Sequence, residues 1–332
     1  MNEVRLSDVI VPEVFGPYVL ERSLNDNRLV QAGIMQTNPQ ISSYLGGGGK
    51  TFNTPFWKDL TGDTDIPSET VDITINPIAT DKSIVRRQFR EKAWGSNDLA
   101  AALAGSDPFE AIGQRVSGFW ARAIENIALY TIRGVFANNI SADNSDLIVD
   151  ISTEDGDAAT SANKIGAKKT IEAIMKLGDM FDQIEAVGVH SVVYQTLLEN
   201  DLIDFNLDSE GKLTIPSYMG LRLVYSDNMP KIAGATSGYK YHTYFFKSGA
   251  LGYGDNSAMI TPIETLRNPK RGGGIDELYT RRQFAIAPLG YSWVMGSDTG
   301  ITPTNANLYD SASWDRVYDK KNTGIVAVIS NG

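Results

Sequence analysis

One long apolar repeat constrains the fold of this chain more than any other feature of its sequence. Between residues 112 and 131, apolar side chains recur at spacings of three and four, the period of a helix with one buried face. Ser106 and Asp107 offer a cap, and Pro108 suits the first turn. The pattern predicts a helix over about residues 107–137, a rod of roughly 45 Å. We expect it to face a central sheet through Ile112, Val116, Ala123 and Ile127.

Two extended segments, at residues 50–58 and 70–84, precede this helix. In the second segment Val71, Ile73 and Ile75 alternate with polar residues, which is typical of a half-exposed strand. The residues between the segments are rich in turn formers. The sequence therefore predicts a long β-hairpin with little core of its own. Because an isolated hairpin is marginally stable in water, we expect this one to rest on another surface.

Four consecutive glycines stand directly before the hairpin: Gly46, Gly47, Gly48 and Gly49. Lys50 and Thr51 follow them, as in a phosphate-binding loop, but that motif requires a further glycine where this chain has Tyr44. Glycine has no side chain to pack and the largest backbone freedom. We therefore interpret the four glycines as a hinge.

The hairpin is acidic, whereas basic residues cluster elsewhere. Residues 59–81 contain six Asp or Glu and no Lys or Arg. One hypothesis is a solvated acidic tip; the other is that the tip docks on the basic surface of a neighbouring subunit and sets its register. The candidate contact residues are Asp59, Asp63, Asp65, Glu69 and Asp72 on the tip, and Arg86, Arg87, Arg90, Lys270, Arg271, Arg281 and Arg282 in the basic clusters.

No catalytic, cofactor-binding or metal site can be assigned from the sequence. The chain has no cysteine, which excludes disulfides, thiolate metal sites and cysteine nucleophiles. Its two histidines, His190 and His242, lack the spacing of a zinc motif, and we expect both to be structural. The acidic clusters lack the spacing of a calcium loop. We therefore expect no enzyme and no cofactor.

Composition narrows the class of protein further. With 332 residues, of which 42% are hydrophobic, the chain can bury a core. It shows no run of about 18 apolar residues and no signal peptide, so we expect a soluble cytoplasmic protein. The 30 Lys and Arg against 40 Asp and Glu give a net charge of −10. That charge argues against a protein whose main task is to grip nucleic acid phosphates.

The remaining segments predict a mixed α+β chain. Residues 1–45 contain Pro12, Pro17 and Pro39 and no long periodic stretch, so we expect an extended arm. Strands and a helix alternate through the middle of the chain, and two further strands follow. The predicted strands are 147–149, 186–190, 221–225, 239–246, 275–287 and 325–329, and the predicted helix within them is 192–199.

A series of short segments, none of them a chemical motif, occurs in a fixed order from about residue 40 onward. They are Lys92-Ala93-Trp94, Leu103-Ala104-Gly105-Ser106-Asp107-Pro108, Phe119-Trp120-Ala121-Arg122, Gly134-Val135-Phe136, Val189-His190-Ser191, Tyr225-Ser226-Asp227-Asn228-Met229-Pro230, Leu289-Gly290-Tyr291-Ser292-Trp293, Pro303-Thr304-Asn305-Ala306-Asn307-Leu308 and Trp314-Asp315-Arg316-Val317. In number and order, this series resembles the major capsid proteins of tailed bacteriophages with the Hong Kong 97-type fold.

The resemblance implies an α+β Hong Kong 97-type capsid fold and a division of the chain into functional parts. The hairpin corresponds to a loop that drapes over a neighbouring subunit. The implied parts are an N-terminal arm (1–45), an extended hairpin loop (46–95), a peripheral domain with the long spine helix (96–163), an axial domain (164–270), a return strand of the peripheral domain (271–290) and a C-terminal segment with a final strand (291–332).

The resemblance further implies a structural protein that self-assembles, in the cytoplasm of a bacterial host, into an icosahedral shell around packaged double-stranded DNA. Its partners would be further copies of itself in pentamers and hexamers, a portal and decoration proteins. Because Met1 leads directly into the arm, we expect any scaffolding protein to be a separate chain. We expect neither sequence-specific DNA binding nor a membrane.

Two alternatives stay open from the sequence. An encapsulin-like nanocompartment, which encloses cargo enzymes, shares the same fold. An α/β enzyme built on the middle of the chain is the second alternative, although the sequence offers no catalytic residues for it.

Overall fold

The computed structural model describes residues 12–58, 60, 63–67, 72–73, 75, 78, 80–98, 108–205, 216–256, 260–270, 273–295 and 300–332. The α-helices are α1 (Pro12–Asn25), α2 (Arg28–Gln31), α3 (Pro39–Leu45), α4 (Pro108–Ala142), α5 (Ala167–Ile174), α6 (Ser191–Glu199) and α7 (Asn305–Tyr309). The strands are β1 (Met35–Thr37), β2 (Thr51–Trp57), β3 (Thr80–Arg86), β4 (Gln88–Asn97), β5 (Ile148–Asp150), β6 (Ile184–Val189), β7 (Ile203–Asp204), β8 (Ser217–Tyr218), β9 (Leu221–Tyr225), β10 (Lys231–Ala233), β11 (Tyr239–Lys247), β12 (Leu251–Asp255), β13 (Ile263–Asn268), β14 (Ile275–Pro288), β15 (Tyr291–Trp293), β16 (Trp314–Arg316) and β17 (Ile325–Ser330).

A five-stranded sheet is organised around β14. This 14-residue strand pairs with β4 along one edge and with β13 and β12, one after the other, along the opposite edge. These pairings are antiparallel, whereas the short β1 joins the outer edge of β12 in parallel. The sheet therefore brings together residues from three distant parts of the sequence.

A larger sheet holds most of the core. Its strands follow the order β5-β17-β11-β6-β9-β8-β7, and β10 pairs with β11. Strand pairing is mixed, since β6 with β9 and β17 with β5 run parallel and the other pairs antiparallel. Tyr244, Phe245 and Phe246 of β11 are fully buried. Phe136 of α4 stacks on Tyr244 with ring centroids 4.9 Å apart.

The long helix α4 spans two cores. In its first half Val116 and Trp120 pack with Val19 of α1 and with Ile263 and Leu278 of the five-stranded sheet. From Ile124 to Phe136 its buried face belongs to the main core with the eight-stranded sheet. Ile127 therefore faces the central sheet as predicted. The same prediction is wrong for Ile112, Val116 and Ala123, which pack in the smaller cluster.

The helix begins at Pro108, as predicted, and ends at Ala142 instead of near residue 137. Polar side chains in its last turns are buried and bonded. Asn138 donates to the carbonyl of Trp314 at 2.8 Å, and Asn139 donates to Asp146 at 2.7 Å. The contact of Asn138 with a distant residue, and that of Asn139 with the loop after the helix, support last turns that the apolar period does not predict. The proposed capping residues Ser106 and Asp107 lie outside the described residues.

The expectation of an extended arm without a long element is wrong over residues 12–45. The 14 residues of α1 form a helix, and α2, β1 and α3 follow it directly. The buried face of α1 contains Val19 and Ser23, and Asn27 continues it beyond the helix end. Asn27 donates to the carbonyl of Ala121 at 3.2 Å. Because this face is partly polar, it leaves little apolar period in the sequence.

The hairpin is present, with a shorter second strand than predicted. β2 and β3 pair in antiparallel register from Thr51 with Arg86 to Trp57 with Thr80. The described residues between 70 and 79 belong to no strand, although Ile73 and Ile75 have the alternation of one. Alternation predicts a strand only where a second strand is available to pair, and β2 ends at Trp57.

The later elements lie close to their predicted positions. β9 has the predicted ends, and β5, β6, β11, β14, β17 and α6 differ from prediction by at most two residues at either end. Each of them carries a strong local pattern of buried residues. The division into an arm, a hairpin loop, a peripheral domain and an axial domain stays a prediction.

Candidate assembly interface

The four glycines lie at the base of the hairpin, directly after α3. Gly46 caps that helix through its N–H, which donates to the carbonyl of Ser43 at 3.1 Å. Gly49 has a φ of +105°, a conformation that favours glycine. A Cβ at Gly48 would meet no atom within 4 Å. Of Gly48 and Gly49, only Gly49 has a backbone conformation that requires glycine. The role of the four glycines as a hinge stays a prediction.

Two arginines from the predicted basic clusters fasten this base within the subunit. Arg86 donates to the carbonyl of Lys50 at 2.9 Å and to that of Gly300 at 3.0 Å. The guanidinium of Arg87 donates to the carbonyl of Gly47. Both side chains are buried, and burial lowers the pKa of Arg87. The prediction that Arg86 and Arg87 belong to an exposed docking surface is therefore wrong, because both side chains are buried and donate to carbonyls of their own chain.

Arg90 and Arg282 are corrected for the same reason. Arg90 is half-buried and donates to Thr302 Oγ1 and to the carbonyl of Pro303, both at 2.7 Å, and burial lowers its pKa. Arg282 is 4% exposed and lies 3.6 Å from the carboxylate of Asp255. Burial lowers the pKa of Arg282 as well. Both arginines hold parts of their own subunit together.

The remaining candidates are surface residues or lie outside the described part. Lys270 is exposed, and Arg281 is partly exposed and pairs with Glu264 at 2.5 Å. Asp63, Asp65 and Asp72 of the tip are exposed. Asp59, Glu69 and Arg271 lie outside the described residues.

An ion pair joins the two strands where the tip begins. Lys58 lies 2.9 Å from Asp81, and the hydrogen bond from its ammonium lowers the pKa of that carboxyl. This contact clamps the end of the hairpin ladder, since Asp81 is paired with Phe56 in the register. We define the tip as residues 57–79, from the last residue of β2 to the residue before β3.

The tip is apolar as well as acidic, a feature that sequence analysis missed. Ile66 is 89% exposed, Ile75 88% and Leu60 80%. Three further large apolar side chains among the described residues of the tip are exposed, namely Trp57, Ile73 and Ile78. Clusters of exposed apolar residues mark interaction sites. The signal in the sequence is the density of isoleucines in a segment whose only cationic residue is Lys58. Alternation alone assigns part of this segment to a half-exposed strand.

The described residues offer no obvious reactive centre. They contain no group of three or more His, Asp or Glu side chains that could hold a metal ion. His190 caps α6, its Nδ1 accepting from the N–H of Val192 at 3.2 Å, and burial lowers its pKa. His242 lies in β11, where burial lowers its pKa to about 4. Among the described helices, none has the length and apolar character needed to cross a bilayer.

Several solved phage capsids share this architecture. The capsid of cyanophage Pam1 matches with a TM-score of 0.59 and 11% identity over 92% of each chain. The capsid of Ralstonia phage GP4 matches with a TM-score of 0.58 and 8% identity, covering 89% of this chain and 86% of that one. The fold is therefore the α+β Hong Kong 97-type capsid fold, as the resemblance implied.

Sequence relatives place the chain within that class. The model of the major capsid protein 13-like family matches residues 98–326. The major capsid protein of Bacillus phage SPP1 is 37% identical over 329 residues, which cover 98% of each chain. The chain belongs to the major capsid protein 13-like family. It is a structural protein of a tailed phage, many copies of which form the capsid shell, and these relatives favour neither alternative drawn from the sequence.

Proposed function

We propose that the hairpin tip is the element through which each subunit binds its neighbour when the shell closes. The supporting observation is the exposure of six large apolar side chains on one tip. Leaving them in water is unfavourable, since burial of one such side chain stabilises a contact by about 1.5–3 kcal/mol. A second subunit that covers the tip removes this cost, and the gain recurs at every subunit of the shell.

We also propose the finer roles that the resemblance to capsid proteins implies. Subunits are grouped in pentamers and hexamers, assemble in the host cytoplasm and enclose double-stranded DNA without sequence-specific contacts. The net charge of −10 suits a container that must release its DNA. The arm, the peripheral and axial domains and the glycine hinge keep the boundaries that the sequence predicts. A portal, decoration proteins and a separate scaffolding protein are the further partners, and the role is structural, without a catalytic step.

Substitution of the tip tests the proposal. The triple variant Ile66→Ser, Ile73→Ser, Ile75→Ser should lower the yield of shells at least tenfold while the soluble subunit keeps its circular dichroism and thermal midpoint. Sedimentation velocity and negative-stain microscopy measure the yield. Ile140→Ser with Leu266→Ser, two exposed apolar residues outside the tip, is the matched control. A normal yield of shells from the triple variant would refute the proposal.

A further inference from the structure

Three arginines lie in a line along the solvent side of α4. Arg115, Arg122 and Arg133 are separated by seven and eleven residues, which are close to two and three complete turns of an α-helix. They therefore lie within about 20° of one another around the helix and span about 27 Å of its length. Arg115 and Arg122 are exposed, and Arg133 is half-buried. We call these three residues the arginine line.

The charge of the arginine line is not neutralised within the subunit. None of its guanidinium groups pairs with a carboxylate in the part of the chain that the structure describes. Arg133 stacks over the ring of Tyr309, 4.4 Å from its centroid, which orients the guanidinium and leaves its charge intact. From Arg115 onward α4 contains one carboxylate, Glu125, which is buried and accepts from Ser226 Oγ at 2.6 Å. This face of the helix is therefore cationic, on a chain whose net charge is −10.

The arginine line is suited to a polyanion and not to the apolar hairpin tip. Among the described residues of α4, Ile140 is the first large apolar side chain that is exposed, and it lies beyond the arginines. A tip that docks by burial of isoleucines would gain little on this face. Double-stranded DNA, in contrast, carries about one phosphate charge per 1.7 Å of axis, so a length of about 27 Å offers roughly 16 phosphates. The planar guanidinium of arginine matches the geometry of a phosphate group.

We propose that the arginine line contacts the backbone phosphates of the double-stranded DNA that the shell encloses. The inference rests on the proposed enclosure of DNA and names the surface that touches it, so this side of α4 faces the interior of the shell. Phosphate contacts carry no sequence information, which agrees with a container for any packaged sequence. Three contacts in each acidic subunit hold the DNA weakly, and they recur at every copy of the chain.

Photochemical cross-linking in filled particles tests which molecule lies against the arginine line. Arg122 is replaced by p-benzoylphenylalanine during growth, and the particles are irradiated and then denatured. We expect subunits covalently attached to DNA, which nuclease treatment releases, and no such adduct from irradiated shells that lack DNA. Covalent subunit dimers in place of DNA adducts would show that a second copy covers this face and would overturn the inference. Filled particles without any adduct would also overturn it, whereas parent particles that never contain DNA would refute the proposed function instead.

The salt dependence of DNA binding gives a second readout on the soluble subunit. Fluorescence anisotropy with a labelled duplex of about 30 base pairs, between about 20 and 200 mM NaCl, should give a slope of log K against log [NaCl] of about −2.7 for three phosphate contacts. The variant Arg115→Gln, Arg122→Gln, Arg133→Gln should bring this slope close to zero. The matched control Arg22→Gln, Lys50→Gln, Lys82→Gln removes three exposed cations outside α4 and should keep the slope of the parent. Equal slopes for the two variants, or a parent without measurable affinity at the lowest salt, would overturn the assignment of this surface.

Discussion

The guanidinium of Arg282 lies 3.6 Å from the carboxylate of Asp255, and both side chains are almost wholly buried. The same guanidinium donates to Ser23 Oγ at 3.0 Å and to the carbonyl of Val19 at 3.2 Å, both on α1. Tyr253 donates its hydroxyl to Asp255 at 2.7 Å. These contacts fasten α1 to β12 and β14, so a residue predicted to bind a neighbour instead holds its own subunit together.

Loss of this pair should strongly destabilise the subunit. Arg282→Met keeps the length of the side chain but leaves Asp255 buried without its cation, which costs about 3–5 kcal/mol. Urea denaturation of the unassembled subunit measures the free energy of unfolding. Arg281→Met is the matched control on the same strand, because Arg281 is partly exposed and its ion pairs are worth about 0–1 kcal/mol. Equal losses from the two variants would contradict the structural role of Arg282.

The buried face of α4 offers a second comparison within one element. Ile127 is 4% exposed in the main core, whereas Ile140 near the end of the same helix is 50% exposed. Ile127→Ala should lower the free energy of unfolding by about 2–5 kcal/mol, because it removes buried carbons and leaves a cavity. Ile140→Ala should change it by less than about 0.5 kcal/mol. Similar values for the two variants would mean that the wrong face of the helix is assigned to the core.

The strength of the local sequence pattern explains which parts of this fold can be predicted from the sequence. β9, β14 and the start of α4 each have an apolar period or a capping signal in the local sequence. Their predicted positions are close to the observed ones. The last turns of α4 and the buried face of α1 are held by Asn138 and Ser23, whose partners Trp314 and Arg282 are distant in the chain. Polar residues of this kind are typical of loops in sequence and become helical through tertiary contacts.

For a related reason, the sequence predicts only the acidic character of the candidate interface. The sequence shows that an arginine is charged, but not whether its side chain is exposed or buried against carbonyls of its own chain. Charge alone therefore places Arg86, Arg87 and Arg282 on a surface. The apolar character of the tip depends on exposure, which alternation alone could not give, because Ile73 and Ile75 fit a half-buried strand equally well. Whether a second strand is available to pair, which depends on the tertiary structure, decides between a strand and an exposed segment.

Backbone conformation distinguishes two of the hinge glycines. Gly49→Ala forces a side chain into the left-handed region at φ +105°, a strain of roughly 1–2 kcal/mol. Gly48→Ala meets open space, and we expect it to change neither stability nor shell yield. Replacement of all four glycines by alanine should leave the subunit folded but impair expansion of the shell, measured by microscopy. If Gly48→Ala impairs assembly as much as Gly49→Ala, the backbone argument is wrong.

His242 should make the subunit sensitive to acid. Its folded pKa is about 4, lowered from 6.5 chiefly by burial and further by the charge of Arg133. Below pH 6.5 the unfolded chain therefore binds a proton that the folded chain refuses. The contribution of this residue to the free energy of unfolding is therefore fully present above pH 6.5. It falls by roughly 3 kcal/mol as the pH drops to about 4. Comparison of His242→Gln with the parent across this range isolates the effect, and identical pH slopes would disprove it.

The response of assembly to salt separates apolar docking of the tip from electrostatic docking. With Arg86, Arg87, Arg90 and Arg282 used inside the subunit, Lys270 and Arg281 are the described residues left from the predicted basic surface. If apolar burial drives docking, raising NaCl from 0.15 to about 1 M, which shortens the screening length from about 8 to 3 Å, should change shell yield less than about twofold. Sulfate should increase the yield, because it strengthens apolar burial. Charge reversal by Asp63→Lys, Asp65→Lys and Glu69→Lys should then reduce the yield less than Ile66→Ser does. A steep fall of yield with NaCl, matched by loss of assembly in the charge-reversed variant, would instead establish electrostatic docking and exclude a mainly apolar contact.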